Sequence, residues 1–187
     1  MKILILTCSP NQDGLTAACG AAAREGVVTA GGEAVAVRLN DLNIGKCHAC
    51  NNGWGTCRPE HRCQVQDDFQ GLHQLVGEVD GYILVTPVYF HEMSESLKTF
   101  VDRLRRSEAP AQEGKNRVEG KPFICVAAAG GTGNGTVNCL AAMERAFQQM
   151  NRNHQEKFEY IGVTRRTRSY MLDAIRSAAE HLVAEQR

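Results

Sequence analysis

No stretch of this 187-residue chain approaches the roughly eighteen consecutive apolar residues that a membrane-spanning helix needs, so no membrane partner is expected. Charge of one sign is missing as well: 21 basic residues balance 21 acidic ones. No basic run of the kind that follows a phosphate backbone occurs, which sets nucleic acid aside as a partner. Internal repeats and low-complexity tracts are absent, which leaves a single domain over 1–187 as the economical reading. Neither G-x-x-x-x-G-K-[ST] nor G-x-G-x-x-G appears, which argues against a triphosphate loop and a Rossmann dinucleotide fingerprint. The opening run Met1-Lys2-Ile3-Leu4-Ile5-Leu6-Thr7 is too short for the apolar core of a signal peptide. A cytoplasmic protein with reduced thiols is the expectation.

Cysteine, by contrast, is plentiful and unevenly placed. Four of the eight cysteines fall within seventeen residues, as Cys47, Cys50, Cys57 and Cys63, a C-x2-C-x6-C-x5-C pattern. Apart from Ala49, Trp54 and Pro59 the residues between them are polar or glycine, with almost nothing apolar to bury, so a partner has to organise the segment or its thiols stay unliganded. In a reducing compartment such spacing points to a metal or a redox dithiol more than to a structural disulfide. Cys8 sits in the loop after the first strand, Cys19 and Cys139 fall in helix patterns and Cys125 in a strand pattern; all four read as small apolar residues.

Apolar, β-branched runs at 2–7, 33–39, 81–86, 122–128 and 157–163 alternate with helical periodicity at 15–30, 68–79, 93–104, 136–150 and 168–184. Residues 93–104 are representative, with Met93, Leu97, Phe100, Val101 and Leu104 on one face. Five βα units predict an α/β fold with a parallel sheet covered on both faces. Its size suits a flavodoxin-like three-layer sandwich with a five-stranded sheet of order 2-1-3-4-5. Two connections are long for that scheme: the Cys-rich loop 41–66 after the second strand, and a charged loop 105–120 read as lacking apolar content. His73 and His181 read as helix-surface residues, Lys98 and Asp102 as a helix pair, and Asp102-Arg103 as a candidate for a subunit contact.

In a parallel sheet the carboxyl ends of the strands share one edge, where ligands bind. After the first strand, Ser9, Asn11, Gly14, Leu15 and Thr16 lead into a helix N-terminus, which offers free N–H donors to a phosphate; an ordinary capped turn is the alternative. After the third strand, Pro87, Val88, Tyr89, Phe90 and His91 set two aromatics at the open end, suited to covering a flat ring or to packing under a loop. After the fourth strand, Gly130, Gly131, Thr132, Gly133 and Gly135 let backbone approach the edge of a planar ligand. A phosphate end, an aromatic wall and a glycine-lined edge together match flavin mononucleotide (FMN).

On these residues, and on Val65-Gln66-Asp67-Asp68-Phe69, Thr86-Pro87-Val88-Tyr89-Phe90 and Leu97-Lys98-Thr99-Phe100-Val101-Asp102-Arg103, the chain resembles the NADPH-dependent FMN reductase family, in its iron–sulfur flavoprotein-like branch. The resemblance covers residues 2–135 and implies an FMN-dependent NAD(P)H oxidoreductase. Such an enzyme passes electrons to a quinone, a flavin or a protein acceptor; the alternatives are an iron–sulfur flavoprotein that carries electrons between protein partners, or a zinc-stabilised flavodoxin-like binding domain. It implies that Ser9, Asn11, Leu15 and Thr16 hold the phosphate, that Pro87, Val88, Tyr89 and Phe90 line the ribityl chain and ring, and that Gly130, Gly131 and Thr132 meet the pyrimidine edge. Tyr89 and His91 are the candidates for proton handling. A homodimer or homotetramer with the flavin near the subunit interface is also implied. Two departures stand out. The phosphate loop has Asn11 and Leu15 where the family commonly has a basic residue and Asn. The third cysteine of the cluster pattern falls at Gly53, with Cys57 four residues later. Cys47, Cys50, Cys57 and Cys63 still offer four thiolates for a [4Fe–4S] cluster or for zinc, with a dithiol or four unliganded thiols as alternatives.

Overall fold

The computed structural model describes residues 1–109, 116–150 and 158–185. Its centre is a parallel sheet of β1 (Lys2–Thr7), β2 (Glu33–Arg38), β3 (Gly81–Tyr89), β5 (Phe123–Ala129) and β6 (Phe158–Thr164). Every residue of β5 is buried, as is Gly81 through Pro87 of β3, whereas no residue of β2 is. The continuously apolar runs therefore lie inside the sheet and the charged run at its edge, as two-sided burial requires.

The expected order 2-1-3-4-5 needs correction. A sixth, two-residue strand, β4 (Glu92–Met93), pairs antiparallel with the end of β3, so the order in chain numbering is β2-β1-β3-β5-β6 with β4 appended to β3. The turn between them is Phe90-His91, with φ of 48° and 72°. Two-residue hairpins need positive φ, which Asn and Gly supply cheaply. Phe and His give no such signal, so the hairpin was invisible in the sequence.

Among the described residues five α-helices cover the sheet: α1 (Leu15–Thr29), α2 (Phe69–Glu78), α3 (Glu95–Glu108), α4 (Thr136–Gln148) and α5 (Arg168–Ala184). Alternation along the central strands sorts the core into two layers. Ile3, Ile5, Ile83, Val85, Ile124 and Val126 face α1 and α5. Leu4, Leu6, Tyr82, Leu84, Phe123 and Cys125 face α2, α3 and α4. Helices α1 and α5 approach so closely at Gly26 that an added Cβ would lie 2.2 Å from the Arg176 carbonyl oxygen.

Two expectations about helix ends fail for one reason. Helix α3 continues four residues past 104, into the expected charged loop, and His73 of α2 is buried rather than on the surface. The His73 ring bonds Glu108 at 2.5 Å, and the other Glu108 oxygen accepts from the Arg117 backbone at 2.6 Å. A buried carboxylate so satisfied holds the last turn of α3 against α2. Val118, fully buried, also corrects the reading of 105–120 as lacking apolar content; residues 110–115 of that loop lie outside the described residues. His181 is exposed, as expected.

Candidate functional site

Parallel register brings the three carboxyl-end loops side by side. Thr7 of β1 is opposite Val85 of β3, and Pro87 of β3 is opposite Ala128 of β5. The chain leaves β1 through Cys8, whose N–H still bonds the Val85 carbonyl at 2.9 Å. The Cys8 thiol is fully buried, and burial first, then Cys139, pushes its pKa far above the ordinary thiol range. It is a packing residue beside the loop. Ser9 is buried and its hydroxyl accepts from the Asn11 N–H at 3.2 Å, which turns the loop. Helix α1 then starts at Gly14 with no side-chain cap. Its first N–H groups therefore lack a side-chain cap acceptor. Asn11 is exposed, Gly14 and Leu15 are partly buried, and Thr16 is buried.

One cation reaches this loop that sequence reading missed. Arg38, at the end of β2, donates to the Pro10 carbonyl at 3.4 Å and pairs with Asp41 at 3.2 Å. Thr7 is its register partner, so the strand pairing delivers it. The signal was a basic residue ending an edge strand beside a loop that has none.

Hydroxyls tie the neighbouring loops together. Thr86 accepts from the Ser94 N–H at 3.0 Å, Ser94 caps α3 by accepting from the Leu97 N–H, and Ser96 donates to the Cys8 carbonyl at 3.5 Å. Beyond this buried network Val88 and Tyr89 run outward, Phe90 is 99% exposed and His91 is exposed. With Val137 of α4, also exposed, these residues leave apolar surface at the edge. The Asn138 amide lies 3.4 Å from the His91 Nδ1. Loop and hairpin meet closely: Gly135 has φ of 82°, and a Cβ there would lie 2.7 Å from the His91 Cα. Gly130 and Gly131 have open space where a Cβ would stand, and Thr132 is exposed beside them.

The residues fit FMN. Uncapped N–H groups at α1 suit its phosphate, exposed aromatics its ring, and bare backbone at Gly130 and Gly131 its edge. Tyr89 and His91 sit at the hairpin tip, and Asn138 is the side-chain partner of His91 among the described residues.

The cysteine segment is folded back onto α2 and α3. Ala49, Asn51, Asn52 and His61 all adopt positive φ, as does Gly53. So many left-handed residues in a short span, costing roughly 1–2 kcal/mol each where the residue is not Gly, wind the chain tightly. Cys47, Cys50, Cys57 and Cys63, all free and partly buried, line one small pocket whose cavity volume is about 20 Å³. Among the described residues no group of three His, Cys, Asp or Glu side chains is set at metal-ligating geometry. The four thiols share a pocket without converging on a point.

What anchors the segment is Arg103, whose burial takes it out of the expected Asp102-Arg103 subunit contact; Asp102 itself is partly exposed. The Arg103 side chain is 1% exposed. It donates to the Asp67 carboxylate at 2.6 Å, the Gly45 carbonyl at 3.0 Å, the Val65 carbonyl at 3.1 Å and the Cys63 Sγ at 3.3 Å. Its guanidinium also lies 4.3 Å from the centroid of the Phe69 ring. Asp67 and Gln70 form a reciprocal cap on α2: Asp67 accepts from the Phe69 N–H, and Gln70 accepts from the Asp67 N–H. Burial raises the Asp67 pKa, but the Arg103 bond, the Gly45 and Phe69 N–H groups and the Arg103 charge outweigh it and hold the carboxyl below its ordinary range. Arg106 donates to the Gly53 carbonyl and stacks 4.9 Å from the Trp54 ring centroid. The residues were visible in the sequence; their convergence, 36 and 40 positions apart for Arg103 with Asp67 and Cys63, was not.

The orphaned Arg103 Nε bears on what the pocket would hold. It is buried with no acceptor among the described residues, as expected of a donor awaiting an anion. Four thiols beside a cationic N–H have the donor chemistry of a thiolate-bound metal group, while their positions in this structure are not those of a set of ligands.

The model of the family described as NADPH-dependent FMN reductase matches residues 1–161. An iron–sulfur flavoprotein of Methanocaldococcus jannaschii is 32% identical over 105 residues, 56% of this chain and 52% of that protein. The chain spans about half the length of the curated relatives it matches. Among solved structures, an NAD(P)H:quinone oxidoreductase from Methanothermobacter marburgensis superposes with a TM-score of 0.74 at 17% identity, covering 97% of this chain and 96% of the other. A flavodoxin from the domain Archaea gives 0.61 at 11% identity, covering 99% and 98%. The fold is flavodoxin-like.

Proposed function

Since the chain belongs to the NADPH-dependent FMN reductase family, we propose that it is an FMN-dependent NAD(P)H oxidoreductase that passes electrons to a quinone, a flavin or a protein acceptor. The observation that carries this reading is the register of β1, β3 and β5, which brings the phosphate-type loop, the aromatic hairpin and the glycine loop to one edge. Ser9, Asn11, Gly14, Leu15 and Thr16 would hold the phosphate, largely through N–H groups. Pro87, Val88, Tyr89 and Phe90 would line the ribityl chain and ring, and Gly130, Gly131 and Thr132 the pyrimidine edge. FMN, when bound, supplies the hydride and single-electron chemistry. The chain orients it, and the exposed face at Phe90 and Val137 leaves room for a nicotinamide and suits a homodimer or homotetramer contact. Tyr89 and His91 stand at the rim, where a proton would be exchanged.

Anaerobic purification followed by a visible spectrum tests this. Protein with one flavin per chain and NAD(P)H oxidation driven by a quinone is the expected result. Protein that gains no flavin absorbance on addition of FMN would sink the reading.

A second reading, an iron–sulfur flavoprotein that carries electrons between protein partners, is favoured by the shared pocket of Cys47, Cys50, Cys57 and Cys63 and by the names of the curated relatives. It predicts iron and sulfide in the purified protein and reduction by a ferredoxin-type donor in place of quinone turnover. Stoichiometric zinc without iron would make the segment a structural site instead.

A further inference from the structure

We propose that Arg103 and Arg106 are a charge-balancing wall for an anionic, thiolate-bound iron–sulfur centre in the cysteine pocket, and that they set how readily it accepts an electron. The inference rests on the iron–sulfur reading of the four cysteines and goes beyond it by assigning a role to residues outside the ligand set.

The argument starts from formal charge. Four thiolates around a divalent core leave a group with a net charge of two negatives. Such a group loses much of its hydration when walled in, and the loss is tolerated where cations and N–H donors replace the water. The pocket supplies these from α3. Residues 103 and 106 are three apart and share a helix face. Both line the pocket, and no Asp or Glu does. Asp67 is bound to one terminal nitrogen of Arg103, while the other terminal nitrogen donates to Cys63 and Val65. Asp67 thus holds the guanidinium in place without facing the pocket itself. Arg106 is fixed independently, by the Gly53 carbonyl and the Trp54 ring.

The consequence is directional. One-electron reduction adds a negative charge to the centre, with the electron taken from an external donor and no bond made or broken in the protein. Fixed positive charge and a hydrogen bond to a ligating sulfur both favour the more negative state. Removing either should make reduction harder.

The test is an anaerobic titration of the iron- and sulfide-reconstituted, FMN-loaded full chain with dithionite and mediator dyes, read by the visible and electron-spin signals of the centre. Arg106→Gln, at a partly buried position, removes one charge with little risk to folding; Arg103→Lys keeps the charge and loses the fork that reaches Cys63. In the fraction of each variant that takes up iron and sulfide, the midpoint should be lower than in the wild type. A tenfold shift in the one-electron equilibrium for Arg106→Gln, about 59 mV, is the expected scale, with a smaller shift for Arg103→Lys. Unchanged midpoints in both loaded variants overturn the role of the arginines and leave the cluster reading standing. Loss of iron at an unchanged midpoint in the residual loaded fraction makes them loop-positioning residues and overturns the charge argument. Wild-type protein that takes up no iron and sulfide removes the cluster reading and this inference together, while leaving FMN binding, measured in the same sample, as a separate result.

Discussion

Replacing Asp67 by Asn should be among the most destabilising single changes of nearly constant volume in this chain. The carboxylate is the sole acid bonded to Arg103 among the described residues, and the arginine side chain is 1% exposed. Asn keeps an acceptor oxygen for the Phe69 and Gly45 N–H groups but withdraws the charge, which strands a buried cation. Breaking one side of a buried pair costs about 3–5 kcal/mol, a large part of the roughly 5–15 kcal/mol typical of a domain. For a chain of this size that corresponds to a fall in Tm of roughly 6–20 °C. Urea unfolding followed by circular dichroism at neutral pH measures it directly. The pH dependence supplies a second check. The folded-state pKa of Asp67 is depressed, so its stabilisation is fully present above the unfolded value of about 3.9 and is lost as pH falls through the lower, folded one. The wild-type advantage over Asp67→Asn should stay constant from neutral pH to about pH 5 and shrink below about pH 4. A loss under about 1 kcal/mol at neutral pH would refute the reasoning, because it would mean the guanidinium reaches water once released.

Gly135→Ala places a methyl 2.7 Å from the His91 Cα at a φ of 82°, so a loss of about 1–3 kcal/mol and weaker FMN binding should appear together in thermal melts and flavin titrations. Arg38→Gln withdraws the one cation bonded to the phosphate-type loop among the described residues; it should weaken FMN severalfold while leaving riboflavin, which has no phosphate, nearly unaffected, and equal weakening of both would contradict that assignment. Thiol labelling followed by peptide mass spectrometry should modify Cys47, Cys50, Cys57 and Cys63 of the metal-free protein well before the other four. Burial shields that second set: it pushes Cys19 and Cys139 up to about 12 and raises Cys8 and Cys125 well above the ordinary thiol range.

The sheet was legible because burial on two faces writes itself into composition. Runs such as Ile3-Leu4-Ile5-Leu6 and Phe123-Ile124-Cys125-Val126 have no polar alternative, and each lies in the interior of the sheet. The five helices were legible because their apolar faces repeat. What failed was everything decided by a partner distant in sequence. Helix α3 looked finished at Leu104 because Arg105, Arg106, Ser107 and Glu108 read as a polar exit. In the fold Glu108 is the acceptor for His73, 35 residues away, and its burial keeps the helix going. The Phe90-His91 turn escaped for the complementary reason: its positive φ values are imposed by the pairing of β3 with β4, against local preference.

The same division runs through the functional residues. The three edge loops could be found one by one, since each carries its own chemistry in adjacent positions. The cysteine segment could not be understood alone, because its glycines and polar residues hold no core of their own. Its stability is borrowed from α3: Arg103 reaches the chain at Gly45, Cys63, Val65 and Asp67, and Arg106 reaches it at Gly53. This explains how the segment can tolerate its unusual C-x6-C spacing. A loop held at its two ends and its middle by arginines on a rigid helix does not need a fixed ligand spacing to present four thiols to one pocket. The displaced Cys57 then marks a change in how the pocket is framed, and the cations framing it are where the electron affinity of anything bound there would be set.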